Sequence, residues 1–258
     1  MTRVDLEGAL RSARSNGRKL LVPYLTGGLG DWSRAVEAAV AAGADAIEVG
    51  IQFSDPAMDG PVIQESSQRA LDAGATPTGI LDELARIDVD VPLVVMCYYN
   101  TIHHAGLARF AASLARAGVS GAIVPDLPLE ESGPWAAAAD AENVATVMLA
   151  SPITPDDRLP LICDRARGFV YSVGLLGVTG ERDTLASTAT VLAGRLKRTT
   201  ELPVLIGVGV SNPEQAVEAC SVADGVEMGA AEVRRFLEGG PDAVADFVGA
   251  TRRALDSM

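Results

Sequence analysis

Short runs of apolar and often β-branched residues recur along this chain, separated by longer Ala-rich segments with helical spacing of apolar positions. The runs predict strands over Leu20–Leu25, Asp45–Val49, Leu93–Tyr98, Gly121–Val124, Ala145–Leu149, Gly168–Val173, Val204–Gly207 and Gly225–Met228. They are nearly continuous in apolar residues, the pattern of strands covered on both faces. The segments between them predict helices over Trp32–Ala42, Pro61–Ala73, Leu107–Ala117, Ser132–Ala141, Asp156–Arg165, Ser187–Lys197 and Pro213–Ala219. Asp5–Ser15 predicts an extra helix before the first strand, and Pro241–Leu255 another at the end. Eight alternations in this length predict an α/β fold, a (β/α)8 TIM barrel forming a single domain over residues 1–258. A doubly wound open sheet is the alternative.

A weak internal echo supports repeated units. Ala42-Gly43-Ala44-Asp45-Ala46-Ile47, Ala117-Gly118-Val119-Ser120-Gly121-Ala122 and Val222-Ala223-Asp224-Gly225-Val226 each read as a helix end, a small-residue turn and a strand. No linker or second domain is visible. Composition agrees: apolar residues make up 48% but aromatics only 4%, so the packing of helices on the sheet must come from small side chains. The longest apolar runs, such as Val91 to Cys97, are too short to span a membrane. The N-terminus lacks the basic-then-apolar order of a signal peptide. Cys97, Cys163 and Cys220 are odd in number and lie in apolar surroundings, as expected for reduced thiols of a cytoplasmic protein. A net charge of −13 argues against nucleic acid or an anionic membrane as partner. Any anionic substrate must then be held by local groups against the overall field.

In such barrels the active site lies at the C-terminal strand ends. The ends here carry Thr26-Gly27-Gly28, Glu48 to Asp59, Tyr98-Tyr99-Asn100, Pro125-Asp126, Ser151-Pro152, residues 174–180, Gly207–Ser211 and Gly229-Ala230. The second is the richest. Glu48 stands between apolar Ile47 and Val49, with Asp55 and Asp59 in the loop beyond. A buried carboxylate shifts its pKa toward values useful in catalysis. A glutamate satisfied by a buried hydrogen bond is the competing reading. Gly207–Ser211 and Gly229-Ala230 each open a helix, and exposed N–H groups there bind anions without a basic side chain. The only lysines, Lys19 and Lys197, avoid the strand ends, which disfavours Schiff-base chemistry. The only histidines, His103 and His104, are adjacent in a predicted loop and read as solvated. No metal site, cofactor or Ser-His-Asp set is expected. Carboxylate acid–base chemistry on a phosphorylated substrate is left.

The run Phe53-Ser54-Asp55-Pro56, then Asp59-Gly60-Pro61-Val62-Ile63-Gln64, following the strand-end Glu48, resembles the signature of the tryptophan synthase alpha subunit family. The likeness continues through Tyr98 with Asn100, Pro125-Asp126-Leu127-Pro128 with Glu130-Glu131-Ser132, Gly177-Val178-Thr179-Gly180 and Gly207-Val208-Gly209-Val210-Ser211. The resemblance implies a lyase of tryptophan biosynthesis that cleaves indole-3-glycerol phosphate to indole and glyceraldehyde 3-phosphate. It implies Glu48 as general acid/base and Asp59 as the carboxylate that holds the indole N–H. Tyr171 matches a tyrosine of the site wall, and Tyr24 and Tyr98 are further candidates for substrate binding. Gly180, Gly209, Gly229 and Ala230 match the phosphate cradle, and Thr179 lies on a loop that closes over substrate in relatives. A pyridoxal-phosphate beta subunit is the partner implied.

Several positions depart from that pattern. Gln52 replaces the usual Pro, Gly28-Leu29 the usual Asp-Pro, and Gly174-Leu175-Leu176 lacks a Ser-Arg. Ala230 stands where Ser commonly donates to phosphate. Glu227 stands where the resemblance implies an apolar residue against the indole ring, and strand alternation points it into the barrel. It is either a satisfied carboxylate or a group that bonds the indole N–H or a polar group of a modified substrate. Gln52 lies where relatives contact the beta subunit, so a stand-alone lyase is a second version of the function. A weakly active paralogue that activates a beta-type partner is the alternative from another class.

Overall fold

Eight parallel strands pair in chain order and close on themselves: β1 (Leu20–Thr26), β2 (Ile47–Gly50), β3 (Leu93–Met96), β4 (Val119–Ile123), β5 (Ala145–Ala150), β6 (Val170–Val173), β7 (Val204–Gly207) and β8 (Gly225–Met228). Closure is made by β8 on β1, from Leu20 opposite Gly225 to Pro23 opposite Met228, which excludes the open sheet. This computed structural model describes residues 3–174, 187–207 and 209–258. The helices are α1 (Leu6–Ser15), α2 (Trp32–Ala41), α3 (Pro61–Asp72), α4 (Pro77–Leu84), α5 (Tyr99–Ala105), α6 (Leu107–Arg116), α7 (Gly133–Ala141), α8 (Leu159–Arg165), α9 (Ser187–Lys197), α10 (Pro213–Cys220) and α11 (Ala230–Asp256). Among the described residues, no helix is long and apolar enough to cross a membrane.

Side-chain alternation along the strands produces two concentric cores. Val22, Ala46, Val94, Ile123, Val147, Tyr171 and Leu205 pack together as the inner one, and Leu6 and Leu10 of α1 join them. The outer core packs Leu21, Ile47, Val95, Ile206 and Val226 against residues of the helices, such as Trp32, Leu114, Leu192 and Val248. The N-terminal helix is therefore the floor of the barrel. A Cβ at Gly121 or Gly168 would lie 2.6 Å from a Leu6 methyl, so glycine there lets the floor seat.

The internal echo has a physical meaning. Asp45 accepts from the Leu21 N–H at 2.8 Å, from Arg18 Nε at 2.5 Å and from Arg252 at 3.3 Å. Asp224 accepts from the Val204 N–H at 2.9 Å and from Lys197 Nζ at 2.7 Å. Ser120, at the matching place in the third copy, donates to the Val4 carbonyl at 2.5 Å. One position just before or early in each strand thus ties the bottom rim together.

Some element bounds differ from the sequence pattern. β3 stops at Met96, because Tyr98 caps α5. His103 and His104 therefore lie in a helix and not in a loop, and His103 contacts the Tyr99 ring at 5.9 Å. β4 begins at Val119, with a register shift against β3 at Leu93/Val94. α8 begins only at Leu159, because residues 156–158 form a turn. The predicted C-terminal helix merges with the one opened by Ala230, across a break at Gly240 (φ 65°) and Pro241. α4 was not expected, although Thr76 caps it by accepting from the Gly79 N–H and Pro77 opens it.

Candidate active site

Period-2 alternation brings five strand residues into one cavity at the C-terminal mouth: Tyr24, Glu48, Met96, Tyr171 and Glu227. The β2–α3 loop adds Asp59, and the β7 and β8 ends add Gly209, Gly229 and Ala230. A second cleft of about 400 Å³ beside β4 and β5 is larger. It holds none of the carboxylates Glu48, Asp59 and Glu227, and convergent polar groups mark a site better than volume does.

Glu48 is 1% exposed, and among the described residues neither carboxyl oxygen has a hydrogen-bond partner. No donor among them supports the reading of a glutamate satisfied by a buried bond. Burial pushes its pKa well up, and the nearby Glu227 and Asp59 push it the same way. Both effects favour the neutral acid over the carboxylate, and the carboxyl faces whatever fills the cavity. Asp59 is only half-buried and accepts from the Tyr98 hydroxyl at 3.2 Å. Burial raises its pKa and the Tyr98 bond lowers it. Tyr98 itself stands behind Asp59, outside the cavity lining. Its hydroxyl oxygen accepts from the Met58 N–H at 2.9 Å, and its ring leans on Phe53. Tyr98 thus orients the loop carboxylate. Asp55 is exposed and bonds only its neighbour Ser54 at 2.5 Å.

Glu227 is buried and accepts from the Tyr171 hydroxyl at 2.6 Å. Of the two readings open for it, the satisfied carboxylate has found its partner. Burial raises its pKa to about 7, and the Tyr171 bond pulls against that. Gln52 is likewise explained. Its Nε2 donates to the Gly50 carbonyl at 2.6 Å and the Gly27 carbonyl at 3.3 Å, and its Oε1 accepts from Ser67 at 2.7 Å. It ties the β1 and β2 loops inward.

The roles of three residues around the site are not readable from the sequence pattern. Gly50 and Gly207 are sockets: a Cβ would lie 1.9 Å from the Tyr24 hydroxyl at the first and 2.1 Å from the Tyr171 hydroxyl at the second. Gly207→Ala is expected to expel the Tyr171 hydroxyl and to destabilise the barrel by about 1–3 kcal/mol, as overpacking does. Denaturant unfolding together with tyrosine difference absorbance tests this, and unchanged stability would refute the socket. Glu232 is the third, in the first turn of α11. It is fully buried with both oxygens unpartnered. Burial first, then Glu227, raises its pKa well up, while Arg235 lowers it. Its negative charge is thereby disfavoured at the positive end of the helix.

The N-terminus of α11 lies at the cavity beside Gly209. The first bond within α11 runs from the Val233 N–H to the Gly229 carbonyl at 3.0 Å, so the N–H groups before it have no partner within the helix. Gly209 sits at φ +97°, a conformation that favours glycine. Thr179 and Gly180 lie outside the described residues.

Comparison with known proteins agrees with this geometry. A family model described as the tryptophan synthase alpha chain matches residues 10–248. The chain belongs to the tryptophan synthase alpha chain family. It is 45% identical over 240 residues to the tryptophan synthase alpha chain of Thermobifida fusca, covering 90% of this chain and 89% of the relative. It is 43% identical over 257 residues to that of Halorhodospira halophila, covering 95% and 94%. A solved structure of Mycobacterium tuberculosis tryptophan synthase superposes with a TM-score of 0.90 at 35% identity, covering 97% of each chain. In this alpha-chain relative, Gln52 is a loop tie and Glu227 a carboxylate that lines the cavity beside Tyr171.

Proposed function

We propose that this alpha-chain relative is a lyase that cleaves indole-3-glycerol phosphate to indole and glyceraldehyde 3-phosphate by a retro-aldol reaction. The observation that carries the reading is Glu48, a sealed and unpartnered carboxyl facing the same cavity as Asp59. A structural glutamate would have a donor. In this proposal Glu48 gives its proton to ring C3, and the ring nitrogen becomes cationic. Asp59, oriented by Tyr98, holds the N–H through that stage. Glu48 then takes the hydroxyl proton of the adjacent side-chain carbon. The carbon–carbon bond breaks, its electron pair returns to the ring, and an aldehyde is left. One proton enters and one leaves, so the enzyme ends as it began.

Tyr24, Tyr171 and Glu227 line the ring side in this reading. Gly209, Gly229, Ala230 and the α11 N-terminus take the phosphate, helped by the neutrality of Glu232. Thr179 and Gly180 are assigned to the loop and the cradle from the family resemblance alone. The substrate is a small phosphorylated indole, and the proposed macromolecular partner is a beta chain. Gln52 binds the loops of its own chain, to the Gly27 and Gly50 carbonyls. Buried free thiols at Cys97, Cys163 and Cys220 suit work in the cytoplasm.

Purified protein mixed with indole-3-glycerol phosphate is expected to release indole. A beta chain is expected to raise the rate and to coelute. Full turnover alone with no coelution would favour the stand-alone lyase, and no indole with or without a beta chain would overturn the reading.

A further inference from the structure

The ring side of the cavity carries one carboxylate more than the proposed reaction needs. Glu227 and Glu48 both occupy inward positions. Glu227 stands opposite Val22 of β1, and Tyr24 of the same strand stands opposite Glu48, so a single strand separates them. Both face one enclosed cavity. Two negative charges there repel with little water between them. Their surroundings are unequal. Glu227 accepts a hydrogen bond from Tyr171 at 2.6 Å, whereas neither Glu48 oxygen has a donor. A donor favours the ionised form, and its absence in a buried place favours the neutral one.

We infer that Glu48 and Glu227 act as a pair sharing one proton, in which Glu48 holds the proton, Glu227 holds the charge, and Glu227 is thereby a positioning residue that keeps Glu48 in its acid form. The consequence for catalysis rests on the lyase reading above; the pairing itself does not. Where the resemblance implies an apolar residue at 227, this chain has an anion locked to Tyr171. When Glu48 gives its proton to the ring, its new carboxylate faces that anion. It is then a stronger base toward the substrate hydroxyl, and taking that proton restores the pair. Glu227 exchanges no proton with substrate.

The other groups facing the pair have defined effects. Asp59, from the loop before α3, pushes Glu48 in the same direction as Glu227 does. Tyr24 on β1 and Tyr171 on β6 are held neutral by burial and by the carboxylates around them. Glu232 on α11 is pushed toward its neutral form by burial and by Glu227, against the pull of Arg235. The directions for the pair agree with the geometry, since Glu48 is pushed well above the usual range and Glu227 only to about 7. The two ionisations belong to the pair as a whole.

The test reads the carboxylic-acid stretch of the ligand-free protein by infrared difference spectroscopy across pH. Glu48→Gln assigns the band. In wild type the Glu48 band is expected to persist into alkaline solution. In Glu227→Gln it is expected to disappear about one pH unit or more lower, because the neighbouring charge has gone. Tyr171→Phe keeps the Glu227 carboxyl but removes its donor, so it is expected to move the band the same way and carries the test if Glu227→Gln does not fold. In indole release, the alkaline limb of kcat is expected to move down with the band in Glu227→Gln, with KM changed less. A band that disappears at the same pH in wild type and in whichever variants fold overturns the pair. A band that shifts in a protein releasing no indole keeps the pair and removes the lyase reading. Indole release with an unmoved band does the reverse.

Discussion

Glu48→Gln is expected to lower indole release by about 10²–10⁴-fold, the usual contribution of a positioned general acid–base group. The carboxamide has the shape of the acid but neither gives nor takes the proton. The same change is expected to leave the fold at least as stable at neutral pH, and the sign follows from the raised pKa. Burial holds the folded-state proton well above the ordinary glutamate range. In the unfolded chain the carboxyl ionises at about pH 4.3, so above that value folding must restore a proton to it and stability falls with rising pH. Glutamine has no such dependence. The stability gain of the variant is therefore expected at pH 7 and is expected to shrink as pH drops below about 4.3. Indole assay and denaturant unfolding at the two pH values test both halves. Full activity in the variant would remove Glu48 from the chemistry. Lost activity accompanied by lost stability at neutral pH would make Glu48 a structural residue instead.

Much of this site was legible because its logic is local. Strand alternation alone sends Glu48 and Glu227 inward, and the helix opened by Gly229-Ala230 does start at the cavity. The floor was also local, since Asp5 accepts from the Gly8 N–H and opens α1 as a cap should. What stayed hidden depends on approach between segments distant in sequence. Nothing near Gly207 says that the Tyr171 ring, on the preceding strand, ends in the space a methyl would fill. Gly50 hides the same relation to Tyr24. Glu232 misleads for another reason. An acid in the first turn of a helix normally faces water and helps the dipole, whereas this one is sealed without a partner. α5 was hidden by brevity: seven residues with two histidines carry no apolar stripe, and only the fold shows that Tyr98 both caps it and supports Asp59. For α4 the signal was present in Thr76-Pro77, a cap followed by a proline, and only its short apolar face concealed it.

Asp45→Ala is expected to destabilise the barrel by about 3–5 kcal/mol, the cost of removing one partner from a buried charged cluster. The position lies far from the catalytic mouth, at the bottom rim. Its carboxylate serves three elements at once: the Leu21 N–H of β1, Arg18 just before β1, and Arg252 near the end of α11. The Arg252 side chain is only 7% exposed, and it also donates to the Lys19 carbonyl at 2.7 Å. Alanine would leave that guanidinium facing a cavity and would orphan the Leu21 N–H. Burial raises the Asp45 pKa even against both arginines, so the cluster is a balance of desolvation and attraction and not a simple gain. Its importance lies in what is left unpaired when one member goes. Ser120 donates only to a carbonyl of the N-terminal segment and holds no charge, so Ser120→Ala is the control and is expected to lose about 0.5–1.5 kcal/mol. Urea unfolding of both variants, with indole release measured below the transition, separates rim from mouth. Asp45→Ala should keep near-normal turnover while folded. A stability loss no larger than that of Ser120→Ala would show that the arginines find water instead, and that the repeated acidic position is not what closes the rim.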